Sequence, residues 1–175
     1  MIKKCLLFFI ITYLFYSITY AAGTSTSNDK GAKGAWKDGK SDKSYMIGKN
    51  SNLKRGVDAL KQAKKYDKKG KKDKAKKRFN DAINFFILAN EENPNEPYIL
   101  SYLGYSFTRA GDYMMAEIYY EQGLAIDPLH IGINEYLGEL YVETNRIEKA
   151  KERLMVLKNC NCEEYDELQN LISKY

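Results

Sequence analysis

Shifted by 34 positions, the sequence from Pro94 onward falls on itself. Pro94 lands on Pro128, Leu103-Gly104 on Leu137-Gly138, and Phe107 on Tyr141. Gly111 lands on Asn145, Tyr113 on Ile147, and Ala116 on Ala150. Because helix breakers and small residues agree as well as apolar ones, one packing problem is being solved twice. Two helices packed antiparallel need small residues where they cross and large ones in the holes between. The expected crossings pair Gly104 with Ala116 and Gly138 with Ala150, with Gly123 facing the next repeat. Leu103, Phe107, Tyr120, Leu137, Tyr141 and Leu154 fill the rest. Gly111 and Asn145 stand where a turn needs positive φ, which both residue types tolerate.

Between these markers the apolar period is helical throughout. Val57, Leu60, Ala63 and Tyr66 form one stripe, interrupted at Gly70. Ala75, Phe79, Ala82, Ile83, Phe86 and Ala89 form the next, stopped by Asn93-Pro94. Pro97 suits the first turn of a helix carrying Leu100, Leu103, Gly104 and Phe107 on one face. Ala116, Tyr119, Tyr120 and Leu124 follow the Gly111-Asp112 turn, and Asp127-Pro128 ends that helix. No segment alternates with the two-residue period of a strand. With 44% hydrophobic residues and 15 Tyr, material for a core is ample.

This pattern resembles the tetratricopeptide repeat, whose unit runs Leu-Gly, aromatic, Gly turn, Ala, aromatic, Pro. Residues 97–161 carry the match well. The fold expected is all-α, a short solenoid of about three helical hairpins with a C-terminal capping helix. Repeats are placed at about 53–94, 97–128 and 131–161, in a domain spanning 53–175. In the first repeat Tyr66, Gly70, Ala75, Phe79 and Ala82 fit. Its closing proline, Pro94, comes seven residues late, about two helical turns, so its second helix is expected to project past its partner. The cap is placed at 162–174. Asn161 serves as N-cap with Glu164 three residues on. Tyr165, Leu168, Leu171 and Ile172 face inward, and Glu163, Asp166, Glu167 and Gln169 face outward.

The first 22 residues read as a secretory signal peptide: Lys3 and Lys4, an apolar run from Leu6 to Ile18, then Tyr20-Ala21-Ala22. The apolar run is short for a membrane-spanning helix, though an uncleaved inner-membrane signal anchor is the alternative. Residues 23–52 are rich in Gly, Ser, Lys, Asp and Asn and read as a disordered basic linker. As a whole, the chain resembles small exported bacterial repeat proteins, which implies a periplasmic location. Charge is strongly asymmetric. Lys30 to Arg78 hold 19 Lys or Arg against 5 Asp, a net of +14, whereas Phe79 to Tyr175 hold 7 against 17 acids, a net of −10. After signal removal two cysteines remain, Cys160 and Cys162. They form a disulfide with a Cα separation near the upper limit, or stand as free thiols.

Catalytic chemistry is hard to assemble from these residues. His130 is the single His and reads as a loop or capping residue. No phosphate-cradling glycine motif occurs. Glu135 and Glu139, one helical turn apart, read as solvated carboxylates. No catalytic residue, metal or cofactor is expected.

The resemblance instead implies a binding groove, because the first helix of each hairpin lines the concave face of such repeats. Repeat two offers Tyr98, Ser101 and Tyr105, with Tyr102 and Arg109 alongside. Repeat three offers Gly132, Glu135 and Glu139, with Tyr136 and Glu143 alongside, and repeat one offers Lys61 and Lys64. The groove then runs from basic through tyrosine-rich to acidic, and tyrosine suits peptide recognition. Glu135 and Glu139 stand where a clamp for a C-terminal carboxylate needs positive groups, which makes a chaperone-tail receptor a poor fit. The expected function is an exported module that holds a protein or peptide. The alternative is attachment of the basic stretch to an anionic membrane or cell-wall surface. Without interleaved aromatics, nucleic acid is a poor target.

Overall fold

The computed structural model describes residues 50–175. The expected signal peptide (1–22), and the expected linker as far as residue 49, lie outside the described residues. Among the described residues there are seven helices and no strand: α1 Ser51–Lys68, α2 Lys72–Glu92, α3 Pro97–Ala110, α4 Tyr113–Ile126, α5 Ile131–Glu143, α6 Ile147–Leu157 and α7 Glu163–Ile172. They pair as hairpins α1/α2, α3/α4 and α5/α6, each packed on the next, with α7 lying against α5 and α6. None is long and apolar enough to cross a membrane.

The turns follow from residue chemistry. Gly70 and Gly111 take φ of 68° and 92°, and Asn145 takes 58°, so the left-handed positions fall to residues that tolerate them. Asp112 caps α4, its carboxylate accepting from the Met115 N–H at 3.1 Å. His130 caps α5, its Nδ1 accepting from the Ile133 N–H at 3.2 Å. That bond needs a lone pair on the ring nitrogen, and burial lowers the His130 pKa, favouring the neutral form. The fully buried Asn134 secures the same loop by donating to the Pro128 and His130 carbonyls, each at 3.0 Å.

Several expectations shift here. The extended second helix of the first hairpin is real, at 21 residues against 14 for α4, but it does not project alone. α1 is itself 18 residues long against 14 for α3 and begins at Ser51, ahead of Leu53. Asn50 makes the early start possible. Its side chain accepts from the Leu53 N–H at 2.7 Å and donates to the Ala89 carbonyl at 3.5 Å. Gly56 then lets the Phe86 ring approach so closely that an added Cβ would lie 2.5 Å from it. Both helices are therefore lengthened together and zipped along the extension.

The small-residue crossings also pair differently. Gly104 faces the Tyr120 ring, and Gly123 faces Ile133 as expected of a contact to the next repeat. Gly138 faces Leu168 of the capping helix rather than Ala150. At the α6–α7 turn Asn161 is left-handed (φ 49°), so Cys162 takes the N-cap position, without a side-chain capping bond. Cys160 and Cys162 are joined by a disulfide. Its Cα separation of 5.2 Å is ordinary rather than at the upper limit.

Candidate functional site

The first helices of the three hairpins bring side chains to one recess of about 260 Å³, lined by Val57, Leu60, Lys61, Lys64, Tyr102, Tyr105 and Tyr136. Five of these are sequence candidates. Tyr105 organises the site. Its ring meets Tyr136 at a centroid distance of 5.0 Å and Phe79 at 6.4 Å edge-on. The Lys64 ammonium stands 4.4 Å from the Tyr105 ring centroid, a cation held over a π face. Tyr102 is only 7% exposed and stacks on Phe86 at 4.9 Å, making it floor rather than rim. Burial raises the phenol pKa of both Tyr105 and Tyr136, keeping their hydroxyls as neutral donors.

The remaining candidates are placed otherwise. Ser101 is fully buried and its hydroxyl has no partner, so it does not reach the open groove. Tyr98 is half-buried and lies apart from the recess, its hydroxyl enclosed and unpartnered. Arg109 is held by Asp67 of α1, which also accepts from Lys72 at 2.8 Å. The Asp67 carboxyl is correspondingly held below its usual range, first by the Lys72 bond and then by Arg109. Arg109 therefore fastens the first hairpin to the second. Gly132 is buried, and Glu143 is exposed at the end of α5.

Glu135 is not a solvated carboxylate. It is 4% exposed, and burial together with a hydrogen bond to Glu167 and the charges of Glu139, Glu167 and Glu164 pushes its pKa well above the carboxylate range. Glu139 is raised to about 7, chiefly by burial, then by Glu143 and Glu167, against the opposing pull of Arg109 and Lys64. Glu167 is exposed on the cap, as expected, and its charge still acts on Glu135 and Glu139 of α5. The acidic wall spans two elements, which an α5 pattern alone could not show.

Sequence reasoning missed Val57 and Leu60, which it assigned to the core stripe of α1. They are buried, yet they also form the apolar side of the recess. A three-and-four apolar stripe carries no mark of where a neighbouring helix leaves a gap. Asp67, missed as the partner of Arg109, lies 42 residues away in sequence.

The sequence matches no protein-family profile and no curated protein. Solved structures do match. One is the first TPR of Spaghetti (RPAP3) bound to an HSP90 peptide, SRMEEVD: 18% identity over 70% of this chain and 94% of that one, TM-score 0.50. Another is the Yersinia enterocolitica type III secretion chaperone SycD in complex with a peptide of the translocator YopD: 18% identity over 67% and 86%, TM-score 0.50. The fold is the tetratricopeptide-repeat solenoid. At this identity the likeness speaks for the architecture, and what the groove binds has to be argued from its own side chains.

Proposed function

We propose that this chain is a binding module that holds a peptide or protein segment in the groove formed by α1, α3 and α5. The observation carrying this reading is the recess where Tyr102, Tyr105 and Tyr136 meet Val57, Leu60, Lys61 and Lys64. It offers apolar and aromatic area with polar tips, in a scaffold whose helices fix each ring. Two matched solved structures hold peptides, which supports the reading by analogy of fold. A photo-crosslinking amino acid at position 105 should capture a defined segment of a partner, whereas one at the exposed Met155, outside the recess, should not. Equal capture from both positions would remove the groove from consideration.

Export to the periplasm belongs to the same proposal and rests on residues 1–22. It predicts a mature N-terminus near Gly23, readable by N-terminal sequencing. A chain recovered with Met1 in a membrane fraction would favour the signal anchor instead. A second reading, attachment to an anionic membrane or cell-wall surface, draws support from an exposed hollow lined by Lys61, Lys64, Lys65, Lys68 and Lys69, the first two shared with the recess. Sedimentation with anionic vesicles that persists in high salt, where such attraction is screened, would count against it.

A further inference from the structure

We propose that the occupant of this groove is an extended segment with a fixed charge order: an acidic residue over α1, apolar or aromatic residues over α3, and a basic residue against α5. The inference rests on the groove reading above and specifies the partner. Three observations support it. Lys61 and Lys64 stand on the α1 side of the recess, both with exposed side chains. The middle is apolar and aromatic, with Val57 and Leu60 facing Tyr102, Tyr105 and Tyr136. On the α5 side, Glu139 and the exposed Glu143 continue past Tyr136 along the same helix, one turn apart.

On the α5 side Glu135 holds its proton at neutral pH, so the acidic end rests on Glu139, which titrates at about 7, and on the exposed Glu143. Glu139 feels Glu143 and Glu167 as well as Arg109 and Lys64, and Arg109 is already engaged by Asp67. Glu135 lies buried one turn before Glu139 on the same helix. A lysine or arginine arriving here would draw Glu139 into its charged form and pair with it and with Glu143, so charge complementarity favours a base here over an acid. An acidic group arriving here would be repelled, whereas over Lys61 and Lys64 it would be attracted.

The Lys64 ammonium stands 4.4 Å from the Tyr105 ring centroid, and that ring stands 5.0 Å from Tyr136. The acidic and basic residues of the occupant should therefore flank a short apolar centre.

The test is selection of a random twelve-residue displayed peptide library against the full chain, with Tyr105→Ala, the pair Lys61→Gln/Lys64→Gln, and the pair Glu139→Gln/Glu143→Gln in parallel. Circular dichroism and melting temperature confirm that each variant is folded. The expected peptides carry an acid and a base on opposite sides of a short apolar centre. Their capture should be lost on Tyr105→Ala. Affinity should fall about tenfold on Glu139→Gln/Glu143→Gln, and selection on that variant should no longer enrich lysine or arginine. Selection on the lysine pair should no longer enrich acids. Peptides that depend on Tyr105 but show no such order, or bind equally with the two charges exchanged, would overturn the inference and leave the groove reading standing. If no selected peptide depends on Tyr105, the groove reading itself fails.

Discussion

A methyl group added at Gly104 would sit 2.4 Å from the ring of Tyr120, which is fully enclosed and cannot swing away. Replacing glycine by alanine inside a helix normally stabilises by up to about 1 kcal/mol. Here overpacking should win, and Gly104→Ala should lower stability by about 1–3 kcal/mol in urea denaturation. The need for a small residue at 104 was legible from the repeat, but its partner was not. Spacing says where helices cross, not which ring lies in the crossing. Glu135 shows the same limit with charge. Its position on one face of α5 was legible, but its burial depends on α7 and on Glu167, which approach from another part of the chain. The consequence is a pH dependence with a definite sign. The folded state holds protons on Glu135 and Glu139 more tightly than the unfolded chain does, where a glutamate titrates near 4.5. Stability should therefore fall as pH rises above about 4.5, through the Glu139 value of about 7 and beyond. Glu135→Gln keeps a hydrogen-bonding group facing Glu167 without the charge. Denaturation at pH 5 and pH 8 should show the wild-type loss shrink by on the order of 1–3 kcal/mol in this variant.

At the scale of the element, the first hairpin departs most from the repeat. Its late proline revealed a long second helix, yet the matching length of α1 was hidden, because Asn50 and Ser51 fall in text that otherwise reads as linker. What distinguishes the start is a single capping side chain that also reaches the far helix. Asn50 is 4% exposed and bonds both the Leu53 N–H and the Ala89 carbonyl. Asn50→Ala should destabilise by about 1–2 kcal/mol. Amide exchange in the first turn of α1 and the last turn of α2 should accelerate together. Acceleration in α1 alone would show that the two extensions are not zipped.

Taken as a whole, the molecule is a short array in which each unit is supported only by its neighbours. The cap matters because Leu168, fully buried, fills the space that Gly138 leaves. Leu168→Ala should cost about 2–5 kcal/mol, seen as a lowered thermal midpoint, with α5 and α6 losing exchange protection before α1 and α2. The hairpin order was legible because it is written as periodicity. The groove's acidic wall was legible only in part, since it takes residues from two helices that the repeat does not relate.

The lengthened first hairpin has a kinetic consequence. Its partners are close in sequence, joined by the tight turn at Gly70, and more extensive than those of the shorter hairpins. Local contacts form fastest because little chain entropy is lost in closing them. In a linear array, folding begins wherever the local unit is strongest and spreads outward. We therefore predict that α1 and α2 form the nucleus and that the chain orders toward α7. In pulse-labelling hydrogen exchange during refolding, amides of Leu60 and Phe79 should be protected before those of Leu140 and Leu168. Simultaneous protection along the whole array would refute this order.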